Sequence, residues 1–186
     1  KKHAIDHLSL RIEEGDFITI IGSNGSGKST LLNLIAGSIE PDEGQILLDN
    51  ENIVTLKNHR RSRFIGRVFQ DPMLGTIGDM MVEENMFLAN HRGKNTGLAW
   101  GLKKKQREAF RNMLEPLGLG LETRLGERMK NLSGGQRQSI TLTMATMNSP
   151  RLLLLDEHTA ALDPETAKIV MQITDDIVKK AHLTTI

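Results

Sequence analysis

Apolar and polar residues alternate along Leu8-Ser9-Leu10-Arg11-Ile12, the two-residue period of a strand with one buried face. Glu13-Glu14-Gly15-Asp16 then reads as a turn, and Phe17-Ile18-Thr19-Ile20-Ile21 as a short β-rich run leading into glycines. From Lys28 the period lengthens: Leu31, Leu32 and Ile35 share one face of a helix that Gly37 closes. Pro41-Asp42-Glu43-Gly44 is a turn before a strand at 45–48, and a further strand at 64–69 ends at Gln70. The pattern then changes. Three helical stretches follow, at 79–90, 103–117 and 134–148, with loops at 93–101 and 118–120 and no convincing strand. After Pro150 strand character returns in Leu152-Leu153-Leu154-Leu155. Asp163 suits the N-cap, and Pro164 the first position, of a helix running to about Ala181; residues 183–186 look like a last strand. The chain therefore reads as an α/β core at 1–78 and 150–186, interrupted by an all-α subdomain at 79–149.

Its 186 residues suit one domain able to bury a hydrophobic core. A formal net charge of +1 gives no global electrostatic case for nucleic acid, and none is expected as a partner. The absence of cysteine excludes disulfides and thiolate metal sites. No apolar run approaches the roughly 20 residues of a membrane helix, so a membrane role must come through a partner. The chain starts at Lys1 and stops at Ile186 in an expected strand, so it reads as a domain truncated at both ends.

The run Gly22, Ser23, Asn24, Gly25, Ser26, Gly27, Lys28, Ser29 and Thr30 fits G-x-x-x-x-G-K-[ST], with a strand before it and a helix after. Glycines let the backbone wrap a phosphate without a Cβ in the way. Loop amides and the helix N-terminus supply partial positive charge, and Lys28 a full charge for β- and γ-phosphates. The Ser29 hydroxyl suits Mg²⁺. A second acidic site follows Leu152-Leu153-Leu154-Leu155, an apolar run of the kind found in buried parallel strands. It ends in Asp156 and Glu157. Ligands of open α/β sheets sit at the carboxyl ends of strands, so both acids should reach the phosphate loop. There Asp156 would hold Mg²⁺ through water, and Glu157 would orient or deprotonate an attacking water.

Leu132-Ser133-Gly134-Gly135-Gln136 opens a helix about 20 residues ahead of the acidic strand. With it the chain resembles the ATP-binding cassette (ABC) ATPases. The phosphate loop, Gln70, residues 132–136, Leu155-Asp156-Glu157 and Ala161-Leu162-Asp163 all occur in the family's order. The resemblance implies a P-loop NTPase core with a mainly parallel sheet, an N-terminal antiparallel β portion and an inserted α-helical subdomain. It implies ATP and Mg²⁺ as ligands and a head-to-tail homodimer or heterodimer of ATPase subunits. In such a dimer Ser133, Gly134, Gly135 and Gln136 cap the ATP of the opposite subunit. Asp163 aligns the halves, and Gln70 touches Mg²⁺ or the attacking water. The family's adenine-stacking aromatic residue and its γ-phosphate-sensing histidine have no counterpart in this stretch of chain. His158 follows the catalytic glutamate where many relatives carry Pro or a small residue; it reads as a neutral loop substitution or a contact to the dimer partner.

The short insert has no long heptad repeat, which argues against the chromosome-maintenance branch of the family. Met73, Met80, Met81 and Met86 suit either a pliable docking groove or a small helical core. Residues 76–85 are similar to importer segments that receive a helix of the membrane domain. The resemblance thus implies a peripheral subunit on the cytoplasmic face of the membrane, partnered by permease subunits and a solute-binding protein. The run from Asp156 to Asp163 looks like a bacterial subgroup serving small organic solutes such as amino acids. The alternative is a soluble cassette ATPase acting on a macromolecular complex in translation or DNA repair.

Overall fold

The computed structural model describes residues 3–93 and 102–186. Apart from Gly93, the loop expected at 93–101 lies outside them. Helix α1 (Lys28–Ala36) ends at Gly37, whose φ of 77° is the left-handed closure expected of glycine. Strands β1 (Leu47–Leu48) and β2 (Glu51–Asn52) form an antiparallel hairpin. Its turn holds Asp49 and Asn50 at φ 51° and 67°, as residues that tolerate positive φ allow. A one-turn helix α2 (Asn58–Arg61), which no periodicity announces, precedes β3 (Ile65–Val68). Helices α3 (Val82–Asn90), α4 (Lys104–Leu114) and α5 (Gly134–Thr146) follow, then β4 (Leu152–Leu155), α6 (Pro164–Ala181) and β5 (Thr184–Thr185).

The central sheet runs β3-β4-β5, parallel at both joints. Leu152, Leu153 and Leu154 are buried, as a strand covered on both faces requires. The segment before the phosphate loop joins this sheet by one parallel bridge, Phe17 to Thr185, rather than as the strand expected over 17–21. β5 is two residues long, so its outer edge holds little more than that bridge. Residues 8–12 form no strand either, and Leu8 and Leu10 are exposed. Their alternation marks which side faces inward, and Ile12 does pack on the core, but alternation cannot supply a neighbouring edge.

Three apolar clusters result. One holds α1, β3 and β4 together through Leu32, Ile65 and Leu154. A second joins the other face of the sheet to α5 and α6 through Val68, Leu142, Leu153 and Ile173. A third, around Met86, Phe110, Leu114 and Ile140, belongs entirely to residues 82–147. An antiparallel bridge between Met81 and Arg128 ties this helical part together. Around it Val82 N donates to Glu127 O, Glu83 N to Leu125 O, Met129 N to Met80 O and Lys130 N to Gly78 O. Residues 78–83 are thereby laced to 125–130. Asn85, almost fully buried, fixes the preceding loop: its Oδ1 accepts from Ile77 N at 2.7 Å and its Nδ2 donates to Met81 O at 2.9 Å.

Arg61 is 1% exposed and donates to four backbone carbonyls: Leu56 and Val54 in one loop, Leu34 and Ile35 at the end of α1. Burial lowers its pKa and Glu40 opposes that shift. The negative end of the α1 dipole also favours the charge. Arg61→Met should therefore lower the unfolding free energy by about 3 kcal/mol: the carbonyls that lose their donor cost ~1–3 kcal/mol apiece, offset in part because Leu34 O keeps Gly37 N and a charge is no longer buried. Urea denaturation of the two proteins checks this.

Candidate active site

Gly25 and Gly27 hold φ values of 79° and 95°, which other residues adopt only under strain. Gly27 caps α1 without a side-chain hydrogen bond, so the first-turn amides keep no intrahelical partner and suit an anion. Gly22, Ser23, Asn24, Gly25 and Ser26 are exposed, and Thr30 is half-buried in the first turn of α1. Lys28 folds back over the loop, its Nζ donating to Gly22 O at 2.8 Å and Ser23 O at 3.4 Å.

The buried strand β4 delivers its acids to this loop. Asp156 N donates to Val68 O at 3.0 Å, prolonging the β3–β4 ladder by one step. The Ser29 hydroxyl donates to Asp156 Oδ1 at 3.2 Å. Glu157 Oε1 lies 3.6 Å from Lys28 Nζ. Glu157 itself holds φ 46°, a left-handed conformation that a side chain with a Cβ avoids. Such strain is concentrated at functional sites.

One member of this group is absent from the sequence reading. Arg67 of β3 reaches Asp156 Oδ2 at 3.1 Å and Asn33 Oδ1 at 2.7 Å, and its guanidinium lies 4.5 Å from the Phe69 ring centroid. A lone charge inside the apolar run of β3 was the available signal, because a buried cation requires a partner.

Gln70 follows β3 and is exposed. The carbonyl before it, Phe69 O, accepts from Nε2 of the fully buried Gln138 at 3.1 Å. Residues 132–136 form a second cluster. Ser133 Oγ accepts from Gln136 N at 3.3 Å, while Gln136 Oε1 accepts from Ser133 N at 3.1 Å and Arg124 Nη1 at 2.8 Å. The turn is thus capped by its own side chains and braced by Arg124. A Cβ on Gly135 would stand 2.1 Å from Thr166 Cγ2, and one on Gly134 3.1 Å from Leu162. These glycines admit the start of α6. Asp163 caps α6 by accepting from Thr166 N at 3.1 Å, and the Thr166 hydroxyl and amide pull its carboxyl below the usual range. Among the described residues, no hydrogen bond or ion pair links this cluster to the phosphate loop.

The ABC transporter family model matches residues 5–160. The chain belongs to the ABC transporter family. It is 48% identical over 181 residues to the tyrosine transport ATP-binding protein of Clostridioides difficile (strain R20291), covering 97% of this chain and 72% of that protein. The xylose/arabinose import ATP-binding protein XylG of Sulfolobus acidocaldarius is 33% identical over 178 residues, 95% of this chain and 68% of its own. ABC transporter B family member 13 of Arabidopsis thaliana is 34% identical over 175 residues, but these are 14% of that protein. Among solved structures, the dimeric post-hydrolysis state of the cassette MJ0796 bound to ADP and Pi superposes with a TM-score of 0.81. It is 30% identical and covers 98% of this chain and 78% of that one.

This ABC cassette is accordingly an ATPase subunit of a membrane transporter, binding ATP with Mg²⁺ and working as a dimer. The expected P-loop fold, with its parallel sheet and antiparallel hairpin, is the one observed. Ser29 Oγ and Asp156 Oδ1 are hard oxygen donors brought together at the phosphate loop, the chemistry Mg²⁺ requires. No helix among the described residues is long and apolar enough to cross a membrane.

His158 of the cassette is not a neutral loop residue. The turn after Glu157 folds it against α6, where it is 7% exposed, with Nε2 3.1 Å from Thr174 Oγ1. The Thr174 hydroxyl donates to Val170 O at 2.8 Å, so His158 Nε2 carries the proton and donates. Burial pushes the imidazole pKa below its ordinary value. The unfolded chain then binds a proton near pH 6.5 that the folded chain resists, so stability falls as pH drops through and below that value. His158→Gln should flatten this acid limb while leaving the pH dependence above about 7.5 unchanged. Denaturation midpoints at pH 5 and pH 8 measure it; parallel profiles would contradict the burial argument.

Proposed function

We propose that this cassette powers import of a small organic solute of the amino-acid class. It would act from the cytoplasmic face as a peripheral subunit beside permease subunits and a solute-binding protein. The observation that carries the reading is the 48% identity, over 97% of the chain, to a relative named for tyrosine transport. The relative named for xylose and arabinose import supports the direction, and its lower identity favours the amino-acid class.

In this reading residues 1–78 and 150–186 are the core and 79–149 the helical subdomain. Lys28 and the amides of residues 22–30 hold the phosphates, and Ser29, Asp156 and Gln70 serve Mg²⁺. Bound there, Mg²⁺ neutralises charge on the β- and γ-phosphates. Glu157 takes the proton of the attacking water, and Gln70 helps place that water. Ser133, Gly134, Gly135 and Gln136 form a helix end that, among the described residues, makes no hydrogen bond or ion pair to the phosphate loop of its own chain, which supports a role toward the partner's phosphate. Asp163, which fixes the start of α6 beside them, aligns the two halves.

A groove of about 260 Å³ supports the permease contact; its lining includes Leu74, Ile77, Asn85, Leu88, Arg92 and Met144. Leu74, Ile77 and Leu88 are exposed, whereas Met86 is core. Leu88→Glu should lower the yield of permease in co-purification by tenfold or more while leaving the melting temperature within about 2 °C, as surface changes generally do.

Glu157→Gln should preserve ATP binding and slow turnover by about 10²–10⁴-fold, the contribution of a positioned base. It should also trap a dimer on size exclusion in ATP but not in ADP. Adding Ser133→Arg should abolish that dimer by blocking the helix end. A dimer that survives the second change, or forms equally in ADP, would refute the shared-site assignment.

A further inference from the structure

Asp156 meets two different groups. Oδ1 faces Ser29 at 3.2 Å, on the phosphate-loop side, and Oδ2 faces Arg67 at 3.1 Å, on the sheet side. The ion pair is poorly screened: the side chains of Arg67 and Asp156 are 13% and 16% exposed. Arg67 is held from three directions, by Asp156, by Asn33 of α1 and by the face of Phe69. Its Nε is buried without an acceptor, so the guanidinium is seated for Asp156 and Asn33 rather than for full hydrogen bonding. Opposite it, Glu157 stands against Lys28 at 3.6 Å. The site therefore pairs two carboxylates with two cations, each carboxylate with its own.

An incoming nucleoside triphosphate disturbs this balance. Lys28 must turn toward the phosphates, which leaves the carboxylates facing a polyanion. Mg²⁺ supplies the missing charge when present. Arg67 faces the sheet and cannot leave Asp156 for the phosphates without breaking its Asn33 contact.

We propose that Arg67 is a positioning residue that stands in for part of the metal's charge. It neutralises Asp156 from behind, so the phosphate loop would accept nucleotide ahead of Mg²⁺, and it occupies Oδ2 while Oδ1 stays on the Ser29 side. This rests on the assignment of Asp156 to Mg²⁺ above. One consequence follows from linkage: because Arg67 favours metal-free nucleotide and repels the metal, it reduces the gain in ATP affinity that Mg²⁺ confers.

The test is ATP binding by isothermal titration, once in EDTA and once in excess Mg²⁺ at equal ionic strength. Arg67→Met keeps the approximate volume and removes the charge. It should weaken metal-free ATP binding about 10–30-fold, the order expected for loss of one incompletely screened charge near a polyanion. MgATP binding should change less than about threefold, and Arg67→Lys should restore metal-free binding to within about threefold of wild type. Equal weakening in EDTA and in Mg²⁺, or no weakening in either, overturns the proposal, the first outcome marking a merely structural arginine. Asp156→Asn separates the underlying assignment. If it leaves the Mg²⁺ gain in ATP affinity unchanged, Asp156 is not the metal's carboxylate, whatever Arg67 does. If it reduces that gain while Arg67→Met fails to raise it, the metal assignment stands and the role of Arg67 falls.

Discussion

The parallel ladder on both sides of β4 is the constraint from which the site follows. A strand buried on both faces cannot carry charge along its length, so Leu152-Leu153-Leu154 must be apolar. Polar chemistry is admitted only where the strand emerges, and it emerges beside the phosphate loop because β3, β4 and β5 all point the same way. Asp156 and Glu157 occupy the first two positions after that exit. The same ladder fixes Arg67 opposite Leu154, two residues before Asp156 and so on the same face of the sheet, close enough to reach its carboxylate.

Elements defined by local chemistry were legible in the chain. The helix at Lys28–Ala36, the closing Gly37, the Asp163 cap with Pro164, and the strand Leu152–Leu155 all lie where period and capping residues set them. The phosphate loop and its acids were legible because their spacing is dictated by a ligand. Features whose partners lie far along the chain were not. Arg61 is recognisable as a buried strut only once the end of α1 and the loop at Val54 are adjacent. Asn85 carries no sequence mark of the loop it fixes. His158 was misread because loop position suggests exposure, whereas the turn folds it onto α6. The N-terminal strands failed for the opposite reason: alternation describes one strand, and a ladder needs two.

The two anion-accepting helix ends of the cassette differ in how they are finished. The one at Lys28 has no side-chain cap, and its lysine rests on the loop carbonyls of Gly22 and Ser23. The one at Gly134 is closed by its own serine and glutamine and braced by Arg124. The first suits a ligand held within one chain. The second is finished by its own side chains, so its geometry does not depend on a ligand in the phosphate loop of the same chain.

The lacing of residues 78–83 to 125–130 has a mechanical meaning. It joins the strip that borders the groove at Ile77 to the strip that leads into Ser133, through backbone hydrogen bonds rather than side-chain contacts. Side chains can swivel and absorb a displacement; a backbone rung must be carried along or broken. A displacement of residues 78–83 must therefore carry residues 125–130 with it, as a rigid crank carries its arm, or break those rungs.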